Sequence, residues 1–424
     1  MTEEKVRAQY EVYPYPVRRP VDERKRLITG SPSHIDELNH YVLGGRLDPQ
    51  KPFRALIAGG GTGDGAIMLA QQLTERCPLG DVLYIDISEH SRRIAEERAR
   101  VRGLHNIRFM GLSITDLAGS SLAGGEIGPF DYIDCCGVLH HLRDPEAGLR
   151  ALTGVLADEG GLGLMVYGEY GRIGVYQMQE MLRLLEETEP DCSEPGRLDL
   201  ARRLLKQLPA TNWLHRNPFV RDHLEQGDAG LYDLFLHARD RPFRVPEVAE
   251  MVTAAGLRIT AFIEPALYDP TTYLPDRHDA GLAEALGRLS WLQRCHFAEL
   301  LAGNMRKHVF YAVKVSNPVM PPDPLDSDAI PVLRDLDGTA FADRCQPGAT
   351  LTANHDGTRL RRTLPSLAAA ILRRIDGRCS VGTIYADLAT DDATLDRVAF
   401  NREWTALFEA LNGIGKIYLS YQRG

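Results

Sequence analysis

At 424 residues, the chain is long enough for two or three domains of roughly 150 residues each. Hydrophobic residues at 44% and charged residues at 25% exclude wholesale disorder, a collagenous rod and a coiled coil. The 49 basic and 58 acidic side chains leave a formal charge of −9, which repels phosphate backbones on average, so a nucleic-acid partner is not expected.

Residues 1–50 precede the first strand signal. Their start is charged and lacks the apolar core of a secretion signal, and no apolar run approaches the ~18–20 residues that span a bilayer. Gln9, Tyr10, Tyr13, Pro14, Tyr15 and Pro16 predict a rigid, extended aromatic strip, either a lid across a ligand mouth or a tail packed on outer helices. From 52 to 167, short β-branched runs alternate with helical stretches, the rhythm of a parallel α/β sheet. Strands are expected at 53–58, 82–86, 107–110, 132–136 and 162–167, and helices at 88–101 and 145–156. Residues 172–240 read as a polar helical insertion near one mouth of that sheet. A helix at 245–255, a strand at 257–263, a helix around 282–301 and a strand at 308–315 would complete it.

Five prolines between Pro318 and Pro331 predict a stiff linker over 316–335, with a separate module at 336–424. The module reads as a hairpin around Asp356 and Gly357, helices at 366–375, 381–388 and 403–411, and a strand at 416–421. Seven scattered cysteines (77, 135, 136, 192, 295, 345 and 379) form no C-x-x-C pair and no zinc-spaced cluster. Neither a disulfide framework nor a metal site is expected, and the setting reads as reduced and cytoplasmic, without membrane contact.

The first chemical signal is the run into Gly59, Gly61 and Gly63, where a buried strand enters a glycine loop and then an apolar helix. Glycines there let the chain turn sharply and let a ligand approach backbone N–H groups. Asp86 ends the next strand, where a carboxylate accepts hydrogen bonds from both hydroxyls of a ribose, and Ile87 is placed to pack on an adenine face. The alternative for Asp86 is a cap of the helix beginning near Ser88. A third block runs from Phe130 and Asp131 through Cys136 and Gly137 to Leu139, His140, His141, Leu142, Asp144 and Pro145.

These blocks, in this order over about 50–170, resemble the class I S-adenosylmethionine-dependent methyltransferases. The resemblance implies an α/β fold, with a Rossmann-like, seven-stranded, mostly parallel sheet in a domain over 51–315. It implies S-adenosylmethionine as cofactor, with Gly59, Gly61 and Gly63 along its methionine portion and Asp86 on its ribose. Ser113 and Ile114 would lie around the adenine, with Cys136 and Gly137 beneath the sulfonium. Two positions depart from the family: Ile57 stands where an acid is usual, and Ser113 where Asp is common.

Methyl transfer from a sulfonium gains mainly from alignment and exclusion of water, and an amine acceptor must also lose a proton. Candidate catalytic residues are His140, Glu169 and Tyr170, near the carboxyl ends of strands four and five. Packing is the competing role for His140 and Tyr170, and a solvated loop for Glu169. Tyr13, Tyr15, Tyr167, Arg172 and Tyr176 are candidates for the acceptor pocket. His237, Arg239 and Arg241 could meet an anionic substrate or simply be solvated.

Between 349 and 378 lie six arginines and two aspartates. With its helices, and with Asp376-Gly377 followed by Val381 and Ile384, this α+β, winged-helix-like module resembles PqqD-type peptide-binding domains. A peptide or protein acceptor is therefore slightly favoured over a small molecule. A non-catalytic S-adenosylmethionine sensor with a partner-binding tail is the reading from a different class. A nucleic-acid use of Arg359, Arg361, Arg362, Arg373 and Arg374 lacks interleaved aromatics.

Overall fold

The computed structural model describes residues 2–117, 121–122, 125–188, 193–274, 280–346, 348–355 and 357–422. Cys192 and Asp356 therefore lie outside the described residues. Helix α1 (Thr2–Val12) and helix α2 (Ile35–Tyr41) precede the sheet. The first half of the sheet is built by β1 (Phe53–Ala58), α3 (Asp64–Arg76), β2 (Gly80–Asp86), α4 (Glu89–Arg102) and β3 (Ile107–Gly111). The second half uses β4 (Phe130–Cys136), α5 (Pro145–Gly154), β5 (Leu156–Tyr167), α6 (Val245–Ala254), β6 (Leu257–Phe262), α7 (Trp291–Ala302) and β7 (Lys307–Lys314).

The strand order is β3-β2-β1-β4-β5-β7-β6, and only β7 runs antiparallel to its neighbours. Alternation along β1 decides the layers, because successive side chains point to opposite faces. Ala55 and Ile57 join α2, α3 and α4 on one face, while Leu56 and Ala58 join α5, α6 and α7 on the other. Strand order reverses between β1 and β4, which leaves a crevice at their carboxyl ends where open α/β sheets take ligands. The insertion has its own core, including Val175, Met178, Leu234 and Phe235. Among the described residues, no helix is long and apolar enough to cross a membrane.

Three expectations need correction. The amino terminus is helical through Val12, so Gln9 and Tyr10 lie on α1, and the extended Tyr/Pro segment is confined to residues 13–16. Residues before Pro14 are good helix formers, with Glu3 and Glu4 favourably placed in the first turn. The helix expected around 282–301 is two, because Ser290 caps α7 with a reciprocal Gln293 contact.

The linker also ends early: Ile330–Leu333 is a strand, β8, paired antiparallel with β11 (Ile417–Ser420). Pro331 is tolerated because β8 is an edge strand. Between them lie the hairpin β9 (Thr350–His355) and β10 (Thr358–Thr363), then helices Ala368–Leu372, Val381–Asp391 and Arg397–Asn412. Arg362 reaches Thr272, while Arg373 pairs with Asp343 and Arg374 with Asp387 and Asp391, so these three are engaged within the protein.

The module is docked, not tethered. Tyr418 enters the core beneath α2, and the Tyr421 amide donates to the Gly45 carbonyl at 2.7 Å. At the centre of the contact Glu37, with 0% exposure, meets Arg334 Nη1 at 2.8 Å and the hydroxyls of Tyr418 at 2.7 Å and Tyr311 at 2.8 Å. Removing one partner of a buried pair leaves an uncompensated charge. Arg334→Ala is therefore expected to cost about 3–5 kcal/mol in urea unfolding; a loss below about 1 kcal/mol would show that this contact does not hold the module.

Candidate functional site

A cavity of about 650 Å³ lies over the carboxyl ends of β1 and β4. Its floor is the loop after β1. Gly59 has φ +74°, and a Cβ there would come within 2.5 Å of Val138, so this turn admits only glycine. The Gly61 amide donates to Asp86 Oδ2 at 2.8 Å, and the Ser88 amide to Oδ1 at 2.8 Å. Ser88, not Asp86, caps α4, which leaves the carboxylate facing the cavity. Burial raises its pKa above the ordinary value, opposed by those two amides.

Of the residues expected around the cofactor, Gly59, Gly61, Asp86, Ile87, Ser113, Ile114, Cys136 and Gly137 all line this cavity. Burial pushes the Cys136 thiol up to about 12, so it is neutral. Gly63 is not part of the lining. Its φ of +102° starts α3, and its missing side chain lets Ala95 approach, a Cβ there coming within 2.9 Å of Ala95 Cβ. Gly60 and Gly65 line the wall in its place.

The acid absent at Ile57 reappears one strand away. Asp134 pairs in register with Ile57, lines the cavity, and lies 3.5 Å from where a Gly65 Cβ would be. Burial pushes it up to about 6, against hydrogen bonds from the Ser33 hydroxyl and the Cys136 amide. Ser33, at φ +84°, is held by that bond, by the Tyr311 hydroxyl at 3.1 Å from its amide, and by Tyr132 at 2.9 Å.

The amino-terminal segment closes the cavity. Glu11 accepts hydrogen bonds from the Glu89 and His90 amides at the start of α4. Thr62 donates to the Pro16 carbonyl at 2.8 Å, and Arg18 clasps Asp64 at 2.6 Å. Burial alone would raise the Asp64 pKa, but Arg18 and Arg98 hold it below the carboxylate range. Tyr10 and Tyr15 face inward, whereas Tyr13 stacks on Tyr232 at 4.8 Å, outside the lining.

The expected catalytic trio is not at the site. His140 is fully buried and kept neutral by burial, and its ring presses on Tyr167 at 4.0 Å. Neither of its ring nitrogens has a partner among the described residues. Glu169 and Tyr170 lie beyond a turn pinned by Gly168 to Arg306 and by Glu169 to Phe243. That turn carries both outward, with Glu169 3.6 Å from Arg244. Arg172 is buried too: it pairs with Asp240 at 2.9 Å, lies 3.6 Å over the Tyr167 ring and bonds Tyr176 at 3.1 Å. Of these, Tyr167 alone lines the cavity, and Arg172 and Tyr176 position it.

His237 is no anion contact. It stacks on His141 at 3.7 Å, with Nε2 3.2 Å from the Tyr10 hydroxyl. His140, His141 and Asp240 each bring a donor atom within 4.8 Å of the others, and Arg172 supplies the cation beside Asp240.

Sequence reasoning missed Asp134 and Asp233 as site residues, and Tyr10 as a hydrogen-bond partner of the second. Asp233 lines the cavity, accepts from Tyr10 at 3.0 Å, and is pushed by burial up to about 7. Its signal is a lone acid inside the apolar run 231–236.

A methyltransferase-domain family model matches residues 56–162. An uncharacterized protein of Synechococcus sp. is 32% identical over 316 residues, covering 72% of this chain and 70% of that protein. The structure of PKMT2 from Rickettsia typhi superposes with a TM-score of 0.63 at 15% identity, covering 92% of this chain and 76% of that one. The same protein in complex with AdoHcy gives 0.62.

Asp86→Ala should weaken S-adenosylhomocysteine binding by about 1–3 kcal/mol, because charge-assisted bonds are lost; unchanged calorimetric affinity would refute the ribose assignment. Asp134 is protonated below about 6 and anionic above it. A ligand ammonium prefers the anion, so affinity should rise from pH 5 to 7 with an inflection near 6, and Asp134→Asn should abolish that inflection.

Proposed function

The chain belongs to the class I S-adenosylmethionine-dependent methyltransferases, and from that premise we propose that it methylates an amine carried on a peptide or protein, with Asp233 taking the amine's proton. The cofactor fits the residues present: a side-chain-free bend at Gly59, a buried carboxylate for the ribose at Asp86, and a second for the ammonium at Asp134. When bound, S-adenosylmethionine supplies an electrophilic methyl group on a sulfonium.

One observation carries the amine reading. Asp233 is a buried carboxylate in the same cavity as Tyr10, Tyr15 and Tyr167, and it titrates at about 7. Carboxylate plus aromatic walls is the surrounding that attracts an ammonium ion. A carboxylate with a pKa near neutrality can then remove the ammonium proton, which leaves a lone pair on nitrogen. That lone pair would face the methyl group that bound S-adenosylmethionine supplies. Tyr10, donating to Asp233 Oδ1, orients the acid. Helix α1 and Tyr15, fastened through Glu11 and Arg18, keep water out.

The peptide or protein source is supported by the docked module, whose contacts reach the cofactor floor through Glu37 and Ser33. A small amine is the second reading, favoured by the way α1 covers the cavity. Radiolabelled methyl donor incubated with host lysate and split into protein, nucleic-acid and small-molecule fractions separates them. Label in protein, released by acid hydrolysis as a methylated amino acid, is the expected result; label only in small molecules would overturn the peptide source.

Asp233 works as a base only when ionised, so kcat/KM should rise with pH through about 7. Asp233→Asn should lower kcat about 10²–10⁴-fold. It should also remove that limb of the profile while leaving cofactor affinity within about twofold. A retained limb would assign the proton to another group.

A further inference from the structure

A second cavity, of about 330 Å³, lies between the carboxyl edge of the sheet and the module. It shares Thr29, Gly30, Ser31 and Lys307 with the cofactor cavity, so one short loop and one side chain separate them. We propose that this second cavity binds the carboxylate side chains of an acidic segment beside the methylated amine. The peptide origin of that segment rests on the amine-on-peptide reading above; the anion site does not.

Charge marks the site. The acids lining the cavity are Glu37, Glu264 and Asp335. Glu37 is taken by Arg334 and two tyrosines, Glu264 pairs with His355 at 2.7 Å, and Asp335 lies 3.7 Å from Arg334 Nε. Lys307, Lys416 and Arg306 are also in the lining. Among the described residues, no carboxylate comes within ion-pair distance of either lysine. With the three acids engaged by Arg334, His355 and tyrosines, the two lysines are left as uncompensated positive charge in a protein of net charge −9.

Placement then selects the source of the anion. Lys307 opens β7 and pairs in register with Tyr167, whose side chain lines the cofactor cavity. It therefore stands between the two hollows. A ligand with its amine among Tyr10, Tyr167 and Asp233 and its carboxylates at Lys307 and Lys416 must reach across that wall. A chain of several residues can place an amine in one hollow and carboxylates in the other.

The test uses the full chain saturated with S-adenosylhomocysteine and a fluorescein-labelled hexaglutamate with blocked termini. This probe has no acceptor amine, so its binding is read independently of where the methyl group goes. Anisotropy should show binding that weakens as salt rises from about 50 to about 300 mM. Lys416→Glu should weaken it at least about tenfold and Lys416→Gln by less. Both variants should keep the cofactor affinity, since Lys416 does not line that cavity. If Lys416→Glu melts early, Lys416→Gln alone decides. No binding by the wild type, or binding indifferent to both substitutions, overturns the site. Displacement of the probe by free glutarate at matched carboxylate concentration overturns the peptide source.

Discussion

Glu37 has no exposed surface, and its carboxylate collects Arg334 and Tyr418 from the module, Tyr311 from β7 and Ser31 from the loop before α2. A charge buried this deeply is tolerable only with all its partners in place. Its value is less in net stability than in specificity, because sheet, loop and module satisfy it together in one arrangement. Arg334 also binds the Gly30 carbonyl at 2.8 Å, and Tyr311 holds the Ser33 amide. The loop that completes the cofactor cavity is therefore positioned from the module side.

The cavity is lined by acids: Asp86, Asp134 and Asp233 are all buried in one hollow, and burial pushes each one upward. Three carboxylates that resist ionisation in the empty protein are a reservoir of attraction for cations. The cofactor brings a sulfonium and an ammonium, and an amine acceptor brings a third positive charge until it is deprotonated. Placing sulfonium and ammonium side by side would be repulsive, so on the proposed amine reading proton removal by Asp233 and attack on the methyl group would be electrostatically linked. Lys307 is a cation in the lining, while two neighbouring groups of cations are neutralised by acids. Arg172 is bound by Asp240, and Arg18 and Arg98 are bound by Asp64.

Most of the fold was legible because its signals are local. The strands of the sheet alternate with amphipathic helices, and their periodicity survives in the chain; the glycine loop and Asp86 are likewise contiguous signals. Less legible was whatever depends on tertiary closure. The Tyr/Pro segment reads locally as one extended strip, since nothing nearby in the chain says that Tyr10 sits on a helix facing Asp233, 223 residues away. Proline density marks a linker, but the pairing of Ile330–Leu333 with Ile417–Ser420 is a long-range event. Glu169 and Tyr170 come directly after strand five, yet backbone bonds from Gly168 and Glu169 turn them outward.

The misplaced acid shows how a motif can look broken while its geometry is intact. In the linear pattern, Ile57 removes the carboxylate expected ahead of the glycines. In the sheet, β1 and β4 are neighbours, and Ile57 and Asp134 are register partners, so the carboxylate has moved sideways by one strand. It remains at the same end of the sheet, beside Gly65 and under Ser33. The conspicuous pair His140 and His141 teaches the converse. His140 stands at a motif position but stacks on Tyr167, where burial holds it neutral, and it is not among the residues lining the cavity. Asp134 and Asp233, by contrast, combine access to the cavity with a buried carboxylate.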